Sequence, residues 1–247
     1  MFDPPRTALA FLTRLPGGVH PEGQEGITTS VPWFGVIGLI VGGVGSGVYV
    51  GASELVSPLA AATLAFIVTA LITGGFHEDG LADSFDALAG GWTPERRLEI
   101  LKDSRHGTFG VLSLVLITLL KVSALTPLSG WDAVLGLTAG HCIGRSAAVA
   151  TMGFAPIARA DGLGADYTRS LSRPAALVGS VVGVAAAIVA FGVWAPAVLG
   201  AVAAGAVAVV AWARAKIGGV TGDLLGAVEQ VGEAIVLLAA SALVLHG

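Results

Sequence analysis

The sequence is poor in charge. Only 12% of its 247 residues are Asp, Glu, Lys or Arg, whereas a soluble domain of this length carries about a quarter. An ordinary water-facing surface cannot be built from that supply. Cysteine is nearly missing as well, and the single Cys142 excludes an internal disulfide and any thiolate metal cage. No long internal repeat and no coiled-coil heptad is present. No cleavable signal is expected either, because "MFDPPRTALAFLTRLPGG" has an apolar centre of about six residues that runs into Arg14, Pro16 and two glycines.

What is abundant is apolar. Hydrophobic residues make up 54% of the chain, the mean hydropathy is +0.83, and there are 36 glycines. This composition belongs to the membrane class, where small residues let helices approach closely in the absence of a hydrophobic effect between them. The expected fold is an all-α, polytopic integral membrane helical bundle. At ~20 residues per span plus loops, it uses residues 1–247 as one domain. Windows long and apolar enough to span lie at about 33–52, 55–73, 110–127, 133–152, 175–193, 195–213 and 231–246, which predicts about seven transmembrane helices.

The connections alternate in charge. Residues 1–32, 74–109, 153–174 and 214–230 hold Arg6, Arg14, Arg96, Arg97, Lys102, Arg105, Arg159, Arg169, Arg173, Arg214 and Lys216, eleven of the thirteen Lys and Arg. The intervening connections hold none. This asymmetry predicts a cytoplasmic N-terminus and four large cytoplasmic loops. Lys121 and Arg145 fall inside spans, where each must pair with an acid across the bundle or meet an anionic substrate. The net charge of −4 says little about partners, since in a membrane protein the distribution matters more.

The longest polar stretch opens with "GGFHEDGLADSFDAL", residues 74–88. Asp79, Asp83 and Asp86 recur at i, i+4 and i+7, so a helix here carries all three carboxylates on one face. Like charges this close repel unless a cation neutralises them, and hard oxygen ligands suit Mg²⁺ or Mn²⁺. A merely solvated acidic face is the plainer alternative. "HEDG" lacks the second His of a zinc HExxH pattern; His77 reads equally as a cap, a phosphate contact or a plain interfacial histidine. "RRLEILKDSRHGTFG", residues 96–110, reads as an amphipathic helix and turn, with Arg96, Arg97, Lys102, Asp103, Arg105 and His106 toward water or substrate. In "GGVTGDLLGAVEQVGEA", residues 218–234, Asp223 can complete a metal site begun by the first cluster, while Glu229 and Glu233 fit a structural role equally well.

Four blocks, "FLTRLP", "GGFHEDGLADSFDALAGG", "RRLEILKDSRHGTFG" and "GGVTGDLLGAVEQ", resemble in order and spacing those of the cobalamin synthase family, the adenosylcobinamide-GDP ribazoletransferases. The likeness runs from residue 9 to about 230. The family reads "GGLHLDGLAD" and "KDSRIG" where this chain has Glu78 and His106, so neither is expected to be indispensable. The resemblance implies a multi-pass enzyme of the bacterial inner membrane with a cytoplasmic active site. It would join α-ribazole, or its 5'-phosphate, to adenosylcobinamide-GDP and release GMP with Mg²⁺, late in vitamin B12 assembly. On that reading Asp79, Asp83, Asp86 and Asp223 hold metal, and Asp103 is a ligand or base. Arg96, Arg97, Lys102 and Arg105 bind phosphate, Arg145 contacts substrate or only holds the bundle together, and His77 takes the hydroxyl proton unless a carboxylate or water takes it instead. Expected partners are the two substrates and membrane lipid, with no nucleic acid; self-association is left open. A lipid phosphotransferase using a CDP-alcohol is the nearer competitor, but its DGxxAR element wants an Arg where Asp83 stands. A secondary transporter is the other, although no inverted repeat is visible.

Overall fold

The computed structural model describes residues 3–17, 28–103, 105–158 and 171–246, and these are helical apart from loops and one isolated parallel bridge between Ile157 and Val220. Arg159 and Arg169 of the predicted cytoplasmic loops lie outside the described residues. A short helix α1 (Pro4–Leu12) precedes α2 (Phe34–Ser53) and α3 (Pro58–Thr73). The polar segment forms α4 (Phe76–Gly90) and α5 (Pro94–Ile100). Then come α6 (Thr108–Leu125), α7 (Gly130–Phe154), α8 (Arg173–Phe191), α9 (Ala195–Ile217) and α10 (Gly222–His246).

The helix starts follow local chemistry. Ser57, Thr93 and Ser172 each accept a backbone N–H from the first turn of α3, α5 and α8, with a proline in that turn. The decisive local feature is the end of α3. Gly74 and Gly75 both take φ +69, a left-handed conformation that glycine adopts without steric cost. The chain turns there by 91° from α3 into α4. The run of apolar residues therefore stops at a corner, and the acids of the next block travel sideways.

Five helical stretches are long and apolar enough to cross a membrane, or six if the bent pair α3 and α4 counts as one. One of the five, Arg173–Ile217, has 45 residues, roughly 68 Å of helix against a hydrocarbon core of ~30 Å. It breaks at Gly192, φ +51, and both halves line one cavity, so α8 and α9 form a hairpin of two spans. The predicted windows thus reappear as six straight spans and the α3–α4 corner.

Helix α7 is the centre of the bundle, with 72% of its most apolar window buried against 28% for the α8–α9 hairpin. It packs on α2, α8 and α10, and Leu137, Ile143 and Leu237 lie in the largest core cluster. Outward-facing Leu71, Val189 and Val207 are each about two-thirds exposed, the inverse of a soluble surface and the form expected where lipid is the solvent. Glycine sets the α2–α7 approach, since a methyl group on Gly38 would run into the backbone of His141 and Cys142, whereas one on Gly43 meets open space. Gly38→Ala is expected to lower stability by about 1–3 kcal/mol through overpacking. Gly43→Ala is expected to leave it unchanged; thermal unfolding of both variants in detergent checks the pair.

Candidate active site

The site forms where α4 crosses α10. A methyl group on Gly80 would sit 2.8 Å from the carbonyl oxygen of Asp223, and one on Gly226 would sit 3.1 Å from that of His77. Two glycines thus bring backbones together that are separated by more than a hundred residues of sequence. The start of α10 is fixed from its other side by the Ile157–Val220 bridge, in which Val220 N–H donates to the Pro156 carbonyl at 2.8 Å and Ala158 N–H donates to that of Val220 at 2.9 Å. The backbone of Asp223 is thereby held against Gly80, close enough for its charge to act on Asp83; its Oδ2 accepts from the Thr221 hydroxyl at 3.2 Å.

Asp79 is 65% exposed and Asp83 only 16%. His106 reaches over both, its Nε2 3.7 Å from Asp79 Oδ1 and its Nδ1 3.6 Å from Asp83 Oδ1. One ligand atom from each of the three lies within 4.8 Å of the others. Burial, then the neighbouring Asp79 and Asp223 carboxylates, push Asp83 up to about 6. Acids so crowded that one resists ionisation, with an imidazole beside them, make a donor set that fits a divalent cation.

Three residues expected at the site are placed elsewhere. Asp86 does share the helix face of Asp79 and Asp83, but the start of α6 covers it. Its Oδ2 accepts from Gly107 N–H at 2.6 Å and its Oδ1 from Gly110 N–H at 2.8 Å, so it satisfies donors that the first turn of α6 would otherwise leave unpaired. His77 lies two residues before Asp79, on the opposite side of α4, and is buried with its Nδ1 3.9 Å from Glu229. It does not face the acidic pocket. Arg145 is 2% exposed and spends its charge inside the bundle, donating to Glu229 at 2.6 Å.

Of the expected phosphate-binding cations, Arg96, Lys102 and Arg105 are exposed and Arg97 is buried. Arg105 grips Asp103 through Nε and Nη2 at 2.9 and 2.6 Å, and those bonds hold the Asp103 carboxyl down at about 2. A carboxylate so firmly ionised orients an arginine better than it accepts a proton. Arg96 pairs with Glu99 at 2.8 Å and is exposed, as is Lys102. Arg97 turns inward, with its side chain over Gly91 and its Nε unpaired among the described residues.

Beneath the pocket lies a second set of charges, wholly buried. Lys121 of α6 donates to Gln230 at 2.8 Å and to Glu233 at 3.1 Å. His141 Nδ1 stands 3.0 Å from Glu233, and Arg145 also donates to the His141 carbonyl at 3.0 Å. Gln230 bridges to Glu229 at 2.9 Å. The set pairs Lys121 and Arg145 with Glu233 and Glu229, and the charge of Glu78 acts on it as well. One ligand atom from each of His141, Glu229 and Glu233 also lies within 4.8 Å of the others. One residue of this set and one of the outer cluster escaped the sequence reading in different ways. Gln230 carries no charge to draw notice, and His106, set aside because it departs from the family pattern, is brought to the acids only because Asp86 anchors the next helix. Arg145→Met is expected to cost ~3–5 kcal/mol by leaving Glu229 buried and unpaired. The double variant Arg145→Met, Glu229→Met is expected to recover most of that, as read by thermal unfolding in detergent.

The family model described as cobalamin-5-phosphate synthase matches residues 4–241. An adenosylcobinamide-GDP ribazoletransferase of Bradyrhizobium diazoefficiens is 42% identical over 242 residues, covering 96% of this chain and 92% of its own length. The protein of the same description from Mesorhizobium japonicum is 35% identical over 98% of this chain and 93% of its own. One from Shewanella pealeana is 46% identical over 56% and 55%. No solved structure matches at a significant level. With the match running from α1 almost to the end of α10, through both acidic blocks, the chain belongs to the cobalamin-5-phosphate synthase family.

Proposed function

We propose that the chain is an adenosylcobinamide-GDP ribazoletransferase that requires Mg²⁺ and works at the cytoplasmic face of the bacterial inner membrane. The observation that carries this reading is the packing of the α4 block that bears Asp79 and Asp83 against the start of α10 that bears Asp223, two blocks distant in sequence. Relatives covering nearly the whole chain carry that name, and a diphosphate substrate demands concentrated positive charge at the reacting phosphorus. The orientation rests on the one-sided distribution of Lys and Arg.

The reaction makes a bond between a hydroxyl of α-ribazole, or of its 5'-phosphate, and the phosphorus attached to cobinamide. The bond from that phosphorus to GMP breaks, and the hydroxyl proton departs. Asp79, Asp83 and Asp223, with His106, would hold the cation. When bound, Mg²⁺ supplies neutralisation of the diphosphate charge and Lewis acidity toward the attacking hydroxyl. The guanidinium of Arg105, oriented by Asp103, and the exposed Arg96 and Lys102 would serve as partners for the outer phosphate oxygens. Because Asp79 is largely exposed, the pocket is open to water, and the proton leaves to solvent without need of His77. Asp86 and Arg145 serve the fold.

Asp79→Asn, Asp83→Asn and Asp223→Asn are each expected to cut Mg²⁺-dependent GMP release on the order of 10²-fold or more while unfolding temperature changes little. Near-normal turnover in any of them removes that residue from the site. Asp86→Asn is expected to lower stability before turnover. The assignment of His106 is read by pulsed EPR of bound Mn²⁺, in which the nitrogen coupling of the wild-type protein disappears in His106→Ala. A pH dependence follows from Asp83. With its carboxyl raised to about 6, it is protonated below that pH and must lose a proton to take a cation. The Mn²⁺ dissociation constant is therefore expected to rise steeply as pH falls through about 6 and to be nearly flat above pH 7.

A further inference from the structure

A cavity of about 580 Å³ lies on the far side of the bundle, between α7, α8 and α9. Its walls are small and apolar, with Ala147, Ala150, Ala203 and Ala206 among them, and none of its lining residues is acidic. The lone charge is Arg214, at the mouth, in the last turn of α9. No ion pair engages it among the described residues. A second cation joins it there, since Arg173 sits over the ring of Phe154 at 5.8 Å and Phe154 is part of the wall. The side of the cavity is open, as Val184 and Val207 on its edges are 43% and 66% exposed.

These features select an occupant. The lining on α9 runs from Leu199 to Arg214, roughly 22 Å of helix, which covers the ~15 Å half-thickness of a hydrocarbon core and ends where headgroups begin. A helix from a second copy of the chain, ~10 Å across and equally long, would fill roughly 1,700 Å³ and does not fit. Neither α4 nor α10 contributes a residue to the wall, so Asp79, Asp83 and Asp223 lie outside the cavity. An extended chain with an anionic head matches both the slot and the two arginines, neither of which has an ion pair among the described residues. We propose that this cavity is a binding site for an anionic phospholipid, with one acyl chain lying between α8 and α9 and its phosphate held by Arg214 and Arg173.

The test uses the full-length protein purified in mild detergent, stripped of lipid, and titrated by native mass spectrometry with phosphatidylglycerol or phosphatidylcholine of identical chains. Wild-type protein is expected to hold one phosphatidylglycerol at least about tenfold more tightly than phosphatidylcholine, and Arg214→Gln with Arg173→Gln is expected to erase that preference. Ala203→Trp, which fills the slot, is expected to release both lipids; if it fails to fold, the charge variants alone decide the matter. Equal retention of the two lipids, or a preference unchanged in the double arginine variant, overturns the proposal. Efficient disulfide-linked dimers from Ala206→Cys in membranes would overturn it in favour of a second copy.

Discussion

Two buried ion pairs set the arrangement of this bundle. Charge in a hydrocarbon environment is tolerated only when paired and turned inward, and the apolar walls leave Lys121 and Arg145 few places to go. Lys121 finds Glu233 and Arg145 finds Glu229, so α6 and α7 are each tied to α10 at successive turns. Gly144 and Gly232 allow the approach, a methyl on Gly232 lying 3.2 Å from the Gly144 Cα. Since removal of any one partner strands the other, the rotation of α10 about its axis is specified by charge, more narrowly than apolar packing alone would specify it.

That specification carries upward to the chemistry. Once Glu229 and Glu233 face α7 and α6, the first turn of α10 must present Asp223 toward α4, six and ten residues earlier on the same helix. Helix α4 then separates two environments. His77 on its inner side joins the buried charges, while Asp79 and Asp83 on the outer side face His106 and water. The inner set pairs its charges in a closed interior; the outer set gathers acids at an open surface. Acids of the same kind, within one helix of each other, thus stand in different environments.

Much of this was legible in the sequence. The apolar windows located the spans, and the i, i+4, i+7 spacing put Asp79, Asp83 and Asp86 on one face. What spacing cannot say is what lands on that face. Asp86 is claimed by the start of α6, a contact across more than twenty residues that leaves no periodic trace. Arg145 and His77 were read as substrate contacts because their types suit phosphate and proton; the bundle interior uses the same types for pairing, and only a fold tells the two apart. The Gly74–Gly75 corner was visible as composition, but its 91° turn follows from two successive left-handed residues, which glycine permits and does not compel.

The corner also explains why a protein so apolar can host chemistry on charged molecules. Had α3 continued straight, Asp79 and Asp83 would have risen away from the bundle into full solvent, where carboxylates are well hydrated and mutual repulsion is screened. Turned through 91°, α4 lies across the end of the bundle against α10 and α6, so Asp83 is half-buried while Asp79 remains wet. The lower dielectric on the Asp83 side would strengthen interactions with the proposed cation, and the open Asp79 side leaves room for large polar substrates. A pocket of that mixed character needs a boundary between apolar protein and water, and the broken helix at the membrane edge provides one.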